Sequence, residues 1–371
     1  MTYFLAEAAL PVTESAYLAD PDQLVLDVSD EASASVTIDG KVYGAAGVVG
    51  TGAKLEMTLG ETGLWSYIDP DSVNKDADAA VCTIIDANRV VLAGNGAALT
   101  VINNGTIRGM ADIRDAGTTA DIQIESKGTW TYYEPNDPAS GAAALPVLAG
   151  VHPLLSIMNG ATATLKTDGR VYGEAGIFET GSKLEAVIGS AGVWSWIDPS
   201  DTSSSADRDT EQSMHMEPLA SVSGDATLDF KNYGRMTGDI MAAGTDSTED
   251  SEGALSSVTG GISSTWDGGL LVLDGTGSVT VNAGGVWTRT SSYPIVPYQE
   301  LGDMLGTDTL TSGMLLTASA AAAAFTNSTV TVINNGEMTG GAAAYGDGAV
   351  LNMTVNGNWD TGTIAGTDAG M

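Results

Sequence analysis

The chain has 371 residues, and its 47 acidic side chains outnumber its 14 basic ones, giving a formal net charge of −33. Such a polyanion repels nucleic-acid phosphates and anionic lipid headgroups, which makes nucleic acids and membrane surfaces poor partners. Apolar residues make up 43% of the chain and aromatic residues only 6%, while 47 positions are glycine, so thin stacked β-layers are favoured over a bulky globular core.

The N-terminal part, residues 1–32, is expected to be a lead-in or cap. It carries no basic residue before Lys41, so it lacks the basic region of a signal peptide. No stretch of the chain approaches about 18 uninterrupted apolar residues, so no part of the given chain is expected to insert into a membrane. Cys82 is the single cysteine, which excludes an internal disulfide. The chain stops at Met371 soon after a repeated block, and we expect it to be a fragment of a longer protein.

From residue 33 onward the sequence repeats itself, and residues 33–371 are expected to form one continuous solenoid. The five degenerate copies span about 33–71, 97–138, 161–201, 226–290 and 328–362. Each copy has a Gly-x-apolar-x-Gly element, whose paired glycines are Gly40 and Gly44, Gly105 and Gly109, Gly169 and Gly173, Gly234 and Gly238, and Gly336 and Gly340. A Gly-x-Trp element follows, with Trp65, Trp130, Trp194, Trp287 and Trp359. The first three copies recur every 64 to 65 residues.

Apolar residues alternate with polar ones before each element, which is typical of β-strands with one buried face. Four positions before the first glycine stand Val36, Val101, Leu165, Phe230 and Val332. A single copy leaves its apolar side uncovered, whereas stacked copies cover one another. The pattern therefore predicts an all-β solenoid in which these five residues share one interior. Asn-Gly and Asp-Gly pairs are expected to supply positive φ angles at the corners. At about 20–29 residues per coil, one period would hold about three coils.

The fourth copy is irregular. Its segment 245–253 is polar and acidic and indicates an excursion, and Trp266 indicates an additional coil. The run 320–324 consists of five alanines, which fit either a short helix or a strand leading into the fifth copy. The stretches between copies, 69–79, 134–141 and 200–217, are rich in Asp, Ser and Pro and are expected to be surface loops.

The tryptophans have two interpretations. A ladder of exposed rings would stack on sugars, and the nearby Tyr67, Tyr132, Tyr133 and Trp196 are compatible with that use. The rings recur, however, at one fixed position after a glycine, which favours a packing role because buried aromatic rings dominate local packing energy.

Acidic turns follow three of the tryptophans and give weak calcium candidates. The carboxylates concerned are Asp69, Asp71, Asp198 and Asp201. Ca²⁺ prefers about 6–8 oxygen ligands, and paired carboxylates on a loop can supply some of them. Asp-Pro is also an ordinary turn sequence, and diffuse screening of the acidic surface by divalent cations is the simpler expectation. No other cofactor is expected.

No catalytic residue is expected. The two histidines, His152 and His215, stand in unrelated contexts, and no Gly-x-Ser-x-Gly element accompanies them. Carboxylate pairs can hydrolyse glycosides, but the arginines are scattered without an evident basic cleft. A polysaccharide lyase or hydrolase on this scaffold is an alternative.

The segments 279–287, 330–336 and 351–359 join Leu/Val-x-Val-x-Asn-Gly patterns to Gly-x-Trp, and they resemble the passenger domains of bacterial autotransporters, the pertactin-like β-helix. The resemblance covers about residues 33–362. It implies a single-stranded right-handed parallel β-helix with acidic inter-repeat loops, displayed on or released from a Gram-negative cell surface. The outer-membrane anchor would belong to a part not present in this chain.

The role implied by this resemblance is that of a non-enzymatic adhesin, a secreted or cell-surface virulence protein. Its loops would contact a host or bacterial surface, including glycans. The alternative from another class is a structural filament or surface-layer subunit, in which the open ends of the solenoid associate head to tail.

Overall fold

The computed structural model describes residues 10–12, 24–67, 89–132, 153–198, 218–243, 254–289 and 320–361. Every regular element in these ranges is a β-strand, and the strands form three parallel sheets, named A, B and C below. After the first strand the chain visits sheets C, A and B in strict rotation and moves one strand further along each sheet with every coil. Crossover connections between parallel strands wind right-handed. The fold is a right-handed parallel β-helix, as expected.

Sheet A contains the long strands of the solenoid. They are β1 (Leu10–Val12), β3 (Ser33–Ile38), β6 (Lys54–Leu59), β9 (Ala98–Asn103), β12 (Thr119–Ile124), β15 (Thr162–Thr167), β18 (Lys183–Ile188), β21 (Thr227–Asn232), β24 (Ala254–Gly260), β27 (Gly275–Val281), β30 (Thr329–Asn334) and β33 (Val350–Val355). Buried and exposed side chains alternate strictly in β6, as a strand with one covered face requires.

Sheet B contains short strands of three residues. They are β4 (Lys41–Tyr43), β7 (Leu64–Ser66), β10 (Thr106–Arg108), β13 (Thr129–Thr131), β16 (Arg170–Tyr172), β19 (Val193–Ser195), β22 (Arg235–Thr237), β25 (Thr265–Asp267), β28 (Val286–Thr288), β31 (Glu337–Thr339) and β34 (Asn358–Asp360). The Gly-x-apolar-x-Gly and Gly-x-Trp elements therefore form equivalent strands in successive coils.

Sheet C closes each coil. Its strands are β2 (Leu24–Ser29), β5 (Ala45–Val49), β8 (Arg89–Gly94), β11 (Met110–Arg114), β14 (Pro153–Met158), β17 (Glu174–Phe178), β20 (Pro218–Ser223), β23 (Asp239–Ala243), β26 (Leu270–Leu273), β29 (Ala320–Ala324) and β32 (Gly341–Ala344). The five alanines of β29 are buried in a strand, so the helical alternative for this run is wrong.

The predicted interior column is confirmed. The five residues proposed for it lie in one inward-facing row of sheet A, each separated from the next by one intervening residue or two. Val36 is 9% exposed, and Val101, Leu165, Phe230 and Val332 are 2% exposed or less. Matched apolar side chains stack along the axis, and each fully buried one contributes about 1.5–3 kcal/mol.

The predicted number of coils per period is wrong. A coil without an insertion takes 21 residues, since Ser33 pairs with Lys54 and Ala98 pairs with Thr119. Lys54 pairs directly with Ala98, so β6 and β9 are consecutive rungs of sheet A. Each 64- to 65-residue period thus holds two coils and one inserted connection. The prediction of an extra coil at Trp266 is correct, because this residue lies in β25, a rung of its own.

The expectation for the corners is also wrong in part. The second glycine of each element does have a positive φ, as at Gly44 with 114° and Gly109 with 127°. The first glycine of each element does not have a positive φ, and neither does the Asn or Asp before it. At Gly105, Gly169 and Gly234 an added Cβ would lie closer than 3.0 Å to backbone carbonyl oxygens of the preceding coil. The first glycine is therefore needed for close stacking of coils.

Candidate functional site

The tryptophans of sheet B point into the solenoid. Trp65, Trp130, Trp194, Trp266 and Trp287 are at most 4% exposed. Each indole Nε1 donates a hydrogen bond of 2.9–3.0 Å to a glycine carbonyl of the preceding coil; the acceptors, in the same order, are Gly44, Gly109, Gly173, Gly238 and Gly268. These buried rings present no face on which a sugar could stack. Trp359, in the last described coil, donates to Gly340 but remains 40% exposed.

Large and small side chains alternate along the tryptophan column. In chain order it contains Val42, Trp65, Ile107, Trp130, Val171, Trp194, Met236, Trp266, Trp287, Met338 and Trp359. Where Trp266 and Trp287 are neighbours, their rings stack in parallel with centroids 4.8 Å apart. The alternation explains why the sequence repeat spans two coils instead of one.

One corner of the solenoid, between sheets B and C, is the point from which most connections leave. The connections 68–88, 133–152, 199–217 and 290–319 all run from the end of a tryptophan strand of sheet B to the next strand of sheet C. The connection 244–253 lies instead between sheets C and A. We call the shared position the loop corner.

In each coil, the residue two positions after the member of the tryptophan column lies at the corner between sheets B and C. It differs between direct coils, in which the next strand of sheet C follows at once, and coils in which a connection follows. Direct coils have glycine there, as at Gly44 and Gly109. At the loop corner the same position is occupied by Tyr67, Tyr132, Trp196 and Arg289. These four side chains are at most 8% exposed, and their backbone N–H groups continue the ladder to the next coil. Where a connection follows, a large buried side chain therefore stands in place of the corner glycine.

Aromatic packing surrounds this corner in the middle of the molecule. Tyr132, Tyr172, Trp196 and Ile197 form a buried cluster separate from the main core. Burial raises the pKa of the Tyr172 hydroxyl, and the carboxylate of Asp198 raises it further. The tyrosines considered as sugar platforms are thus packed residues; Tyr133 lies outside the described residues.

A buried ion pair fixes the base of the connection 290–319. Arg289 Nη2 donates to Asp239 Oδ2 at 3.0 Å, and Arg289 Nη1 donates to the carbonyl oxygen of Ala320 at 2.9 Å. The N–H of Gly269 donates to Asp239 Oδ1 at 2.7 Å. Burial raises the pKa of Asp239, while the nearby Arg289 acts to lower it. Arginine thus holds both ends of the connection against the neighbouring coil.

A second acidic side chain plays a comparable part at the end of the connection 68–88. Asp112 is 2% exposed and forms ion pairs with Arg89, at 3.2 Å, and with Arg114. Arg89 is the first residue of β8, where the chain rejoins the solenoid. The arginines are scattered along the sequence, and neither pair was predicted from it. The available signal was a single Asp inside the otherwise apolar start of β11, and an Asp directly after Gly238.

The described residues contain no group of three or more His, Cys, Asp or Glu side chains arranged to hold a metal ion. Of the calcium candidates, Asp198 is partly buried near Tyr172, and Asp69, Asp71 and Asp201 lie outside the described ranges, as do Cys82, His152 and His215. Calcium binding stays a prediction. In the same part of the chain there is no helix long and apolar enough to cross a membrane.

Comparison with known proteins adds little beyond this geometry. No protein-family model matches the chain, and no curated protein matches it. Among solved structures the chain is similar to the crystal structure of a TibC-catalyzed hyper-glycosylated TibA fragment, with 13% sequence identity and a TM-score of 0.22, over 90% of this chain and 93% of that chain. A TM-score this low carries no argument, so the fold assignment rests on the three sheets themselves.

Proposed function

We propose that this chain is a non-enzymatic adhesin-type passenger, a rigid solenoid that presents its connections to another surface. The loop corner carries this proposal. Its four connections leave after β7, β13, β19 and β28, which are two, two and three rungs apart. With a rung spacing of about 4.8 Å, they start about 10–14 Å from one another in a single row. A stiff scaffold with a row of variable segments is suited to multivalent contact.

The composition of the connections indicates the kind of partner. The segments 68–88 and 199–217 each contain five acidic residues and one basic residue. A row of anionic segments favours contact with basic or neutral surface groups on host or bacterial cells and disfavours nucleic acid and anionic lipid. The resemblance of the repeat motifs to autotransporter passengers supports an extracellular or cell-surface location.

The test removes three connections, together with the large buried side chains with which they begin, and keeps every rung of the three sheets. In a direct coil one glycine links sheets B and C, as Gly44 links Tyr43 to Ala45. Arg89, Pro153 and Pro218 occupy the register position of Ala45 in their own coils. We therefore replace 67–88, 132–152 and 196–217 each by one glycine and leave 290–319 intact, because Arg289 pairs with Asp239.

Beads coated with the intact protein are expected to bind cultured epithelial cells or bacterial cells, and beads coated with the triple replacement are expected to lose that binding. The matched control replaces 244–253, at the other corner, by Gly-Thr-Gly, which copies the turn 50–52. Far-UV circular dichroism confirms that both variants remain folded. Unchanged binding by the triple replacement, or equal loss with the control, would refute the proposal. A flat screen against acidic and neutral polysaccharides is expected for the non-enzymatic assignment, and turnover of any of them would overturn it.

Head-to-tail self-association is a second candidate. In the last described coil Val355 and Trp359, whose register partners Asn334 and Met338 are buried, are each 40% exposed. Exposed apolar side chains on a coil end are a surface on which another coil can stack. Sedimentation velocity over a range of concentrations tests it: a shift to larger species that Trp359→Asp abolishes supports association, and a constant monomer contradicts it.

A further inference from the structure

The outer face of sheet C changes its chemistry at β23. Its outward side chains stand in two registered rows, and in the earlier coils these rows mix apolar residues with charged and polar ones, such as Asp112, Arg114 and Ser221. From β23 to β32 the rows contain Met241, Leu271, Ala323 and Ala343, and Ala243, Leu273, Phe325 and Tyr345. We call these eight residues the apolar face.

The middle of the apolar face is shielded from solvent. Leu271 is 8% exposed, Ala323 is fully buried and Phe325 is 4% exposed, although all three belong to a cluster separate from the main core. Side chains on the outer face of a sheet touch neighbours in the same sheet but have none above them. Complete burial of Ala323 therefore indicates that a further segment lies on this face.

The aromatic residues of the apolar face agree with such a cover. The rings of Phe325 and Tyr345 stack with centroids 5.9 Å apart, and burial raises the pKa of the Tyr345 hydroxyl. Phe178 stands in the same outward row four coils before Phe325 and is partly exposed. Two phenylalanines in one row thus differ in burial, and the more buried one lies in the apolar face.

The connection 290–319 begins and ends beside the apolar face. It returns to the solenoid at Ala320, three positions before Ala323 in the same strand. Arg289, directly before the connection, donates from Nη1 to the carbonyl oxygen of Ala320 at 2.9 Å and from Nη2 to Asp239 at 3.0 Å. Asp239 is the first residue of β23, the strand with which the apolar face starts. One arginine therefore ties both ends of the connection to the border of this face.

The composition of this connection differs from that of the acidic ones. Among its 30 residues are eleven large apolar ones (Tyr, Ile, Val, Leu or Met), three acidic ones and no basic one. The connection 199–217 has two large apolar residues among 19 and five acidic ones. A long apolar segment is unfavourable in water unless it covers other apolar surface.

We propose that the connection 290–319 packs its large apolar side chains on the apolar face of sheet C. Tethering at both ends gives the segment a high effective concentration at this face, which favours it over a second copy of the chain or another protein. This inference goes beyond the proposed function. That function is tested on the connections 68–88, 133–152 and 199–217, so either idea can fail without the other.

Photo-cross-linking in the intact chain tests the contact. The photoreactive amino acid p-benzoylphenylalanine replaces Tyr345, and in the matched control it replaces Phe178, which lies about 19 Å from Phe325 at a rung spacing of about 4.8 Å. After irradiation and proteolysis, mass spectrometry should find the Tyr345 variant joined to peptides from 290–319 in monomeric protein, and the Phe178 variant not joined to them. Cross-links from Tyr345 only to other segments, cross-linked dimers, or equal cross-linking from Phe178 would overturn the proposal.

A second measurement removes the apolar character of the segment. Serine replaces the eleven large apolar residues of 290–319, and in the matched control it replaces the five of 68–88. Fluorescence of the dye 1-anilinonaphthalene-8-sulfonate, which binds exposed apolar surface, should rise several-fold in the first variant and stay unchanged in the second, while far-UV circular dichroism shows both to be folded. No rise in the folded first variant, or an equal rise in the control, contradicts the proposal. If the first variant does not fold, the cross-linking result decides.

Discussion

Replacing Trp194 by alanine should destabilise the solenoid by about 3–5 kcal/mol. The indole is fully buried, and a tryptophan of about 200 Å² at about 25 cal/mol per Å² gives about 5 kcal/mol. The change also removes the 3.0 Å hydrogen bond to the Gly173 carbonyl and an edge-to-face contact with Phe230, whose ring centroid is 5.0 Å away. Trp194→Phe keeps most of the ring and loses the N–H, for which we expect about 1–3 kcal/mol.

Trp359 supplies the matched control for this substitution. It makes the same hydrogen bond, of 2.9 Å to Gly340, but is 40% exposed, so Trp359→Ala should cost clearly less than Trp194→Ala. Urea unfolding followed by far-UV circular dichroism measures both, because that signal does not depend on the fluorophore removed. Because stacked coils can unfold in parts, the urea midpoints of two variants are compared only where the m-value, the slope of free energy against urea concentration, is the same. Equal losses of stability in Trp194→Ala and Trp359→Ala would refute the view that burial of the indole is the main source of its stabilising effect.

Three further outcomes are expected. Gly169→Ala should cost about 1–3 kcal/mol in urea unfolding, since its methyl group would meet carbonyl oxygens of the preceding coil, whereas the exposed-face change Thr164→Ala should stay within about 0.5 kcal/mol. Arg289→Met should cost about 3–5 kcal/mol near pH 7 by leaving Asp239 buried without its ion-pair partner. Because burial raises the pKa of Asp239, the folded state takes up a proton more readily than the unfolded state; melting curves should therefore show this loss shrinking as the pH falls through the raised pKa. Millimolar Ca²⁺ should raise the melting temperature if Asp69, Asp71, Asp198 and Asp201 bind it, and identical curves in Ca²⁺ and in chelator would contradict that hypothesis.

The strand pattern was predictable because period-two alternation is a local property of the sequence. Val36 and Val332 could be assigned to one interior without knowledge of the loops between them. The number of coils was not predictable in the same way. Val42 and Trp65 occupy equivalent positions in consecutive coils, yet a valine strand between two glycines and a tryptophan strand look like different elements. The sequence period therefore follows the alternation of side-chain size and spans two coils, whereas the structural period is a single coil.

The ion pair between Asp239 and Arg289 could not be assigned from the sequence for another reason, although the Asp after Gly238 was a visible signal. Asp239 and Arg289 are 50 positions apart and meet only because the intervening rungs place them at one corner. Neither residue has a local partner that would mark it. The first glycines were similar: Gly169 is visible in the sequence, but its close approach to the carbonyls of the coil below follows from stacking distance alone.

The residue two positions after the tryptophan column decides whether a coil can give rise to a connection. Tryptophan itself does not decide it, because Trp266 is followed by Gly268 and this coil continues directly into β26. Trp287 has the same surroundings and stacks on Trp266, yet it is followed by Arg289 and the connection 290–319. Glycine closes the corner, and a large buried side chain covers the core where the chain departs. Connections at this corner can therefore change in length and composition while the rungs stay in register, which is the property that a scaffold for variable surface contacts requires.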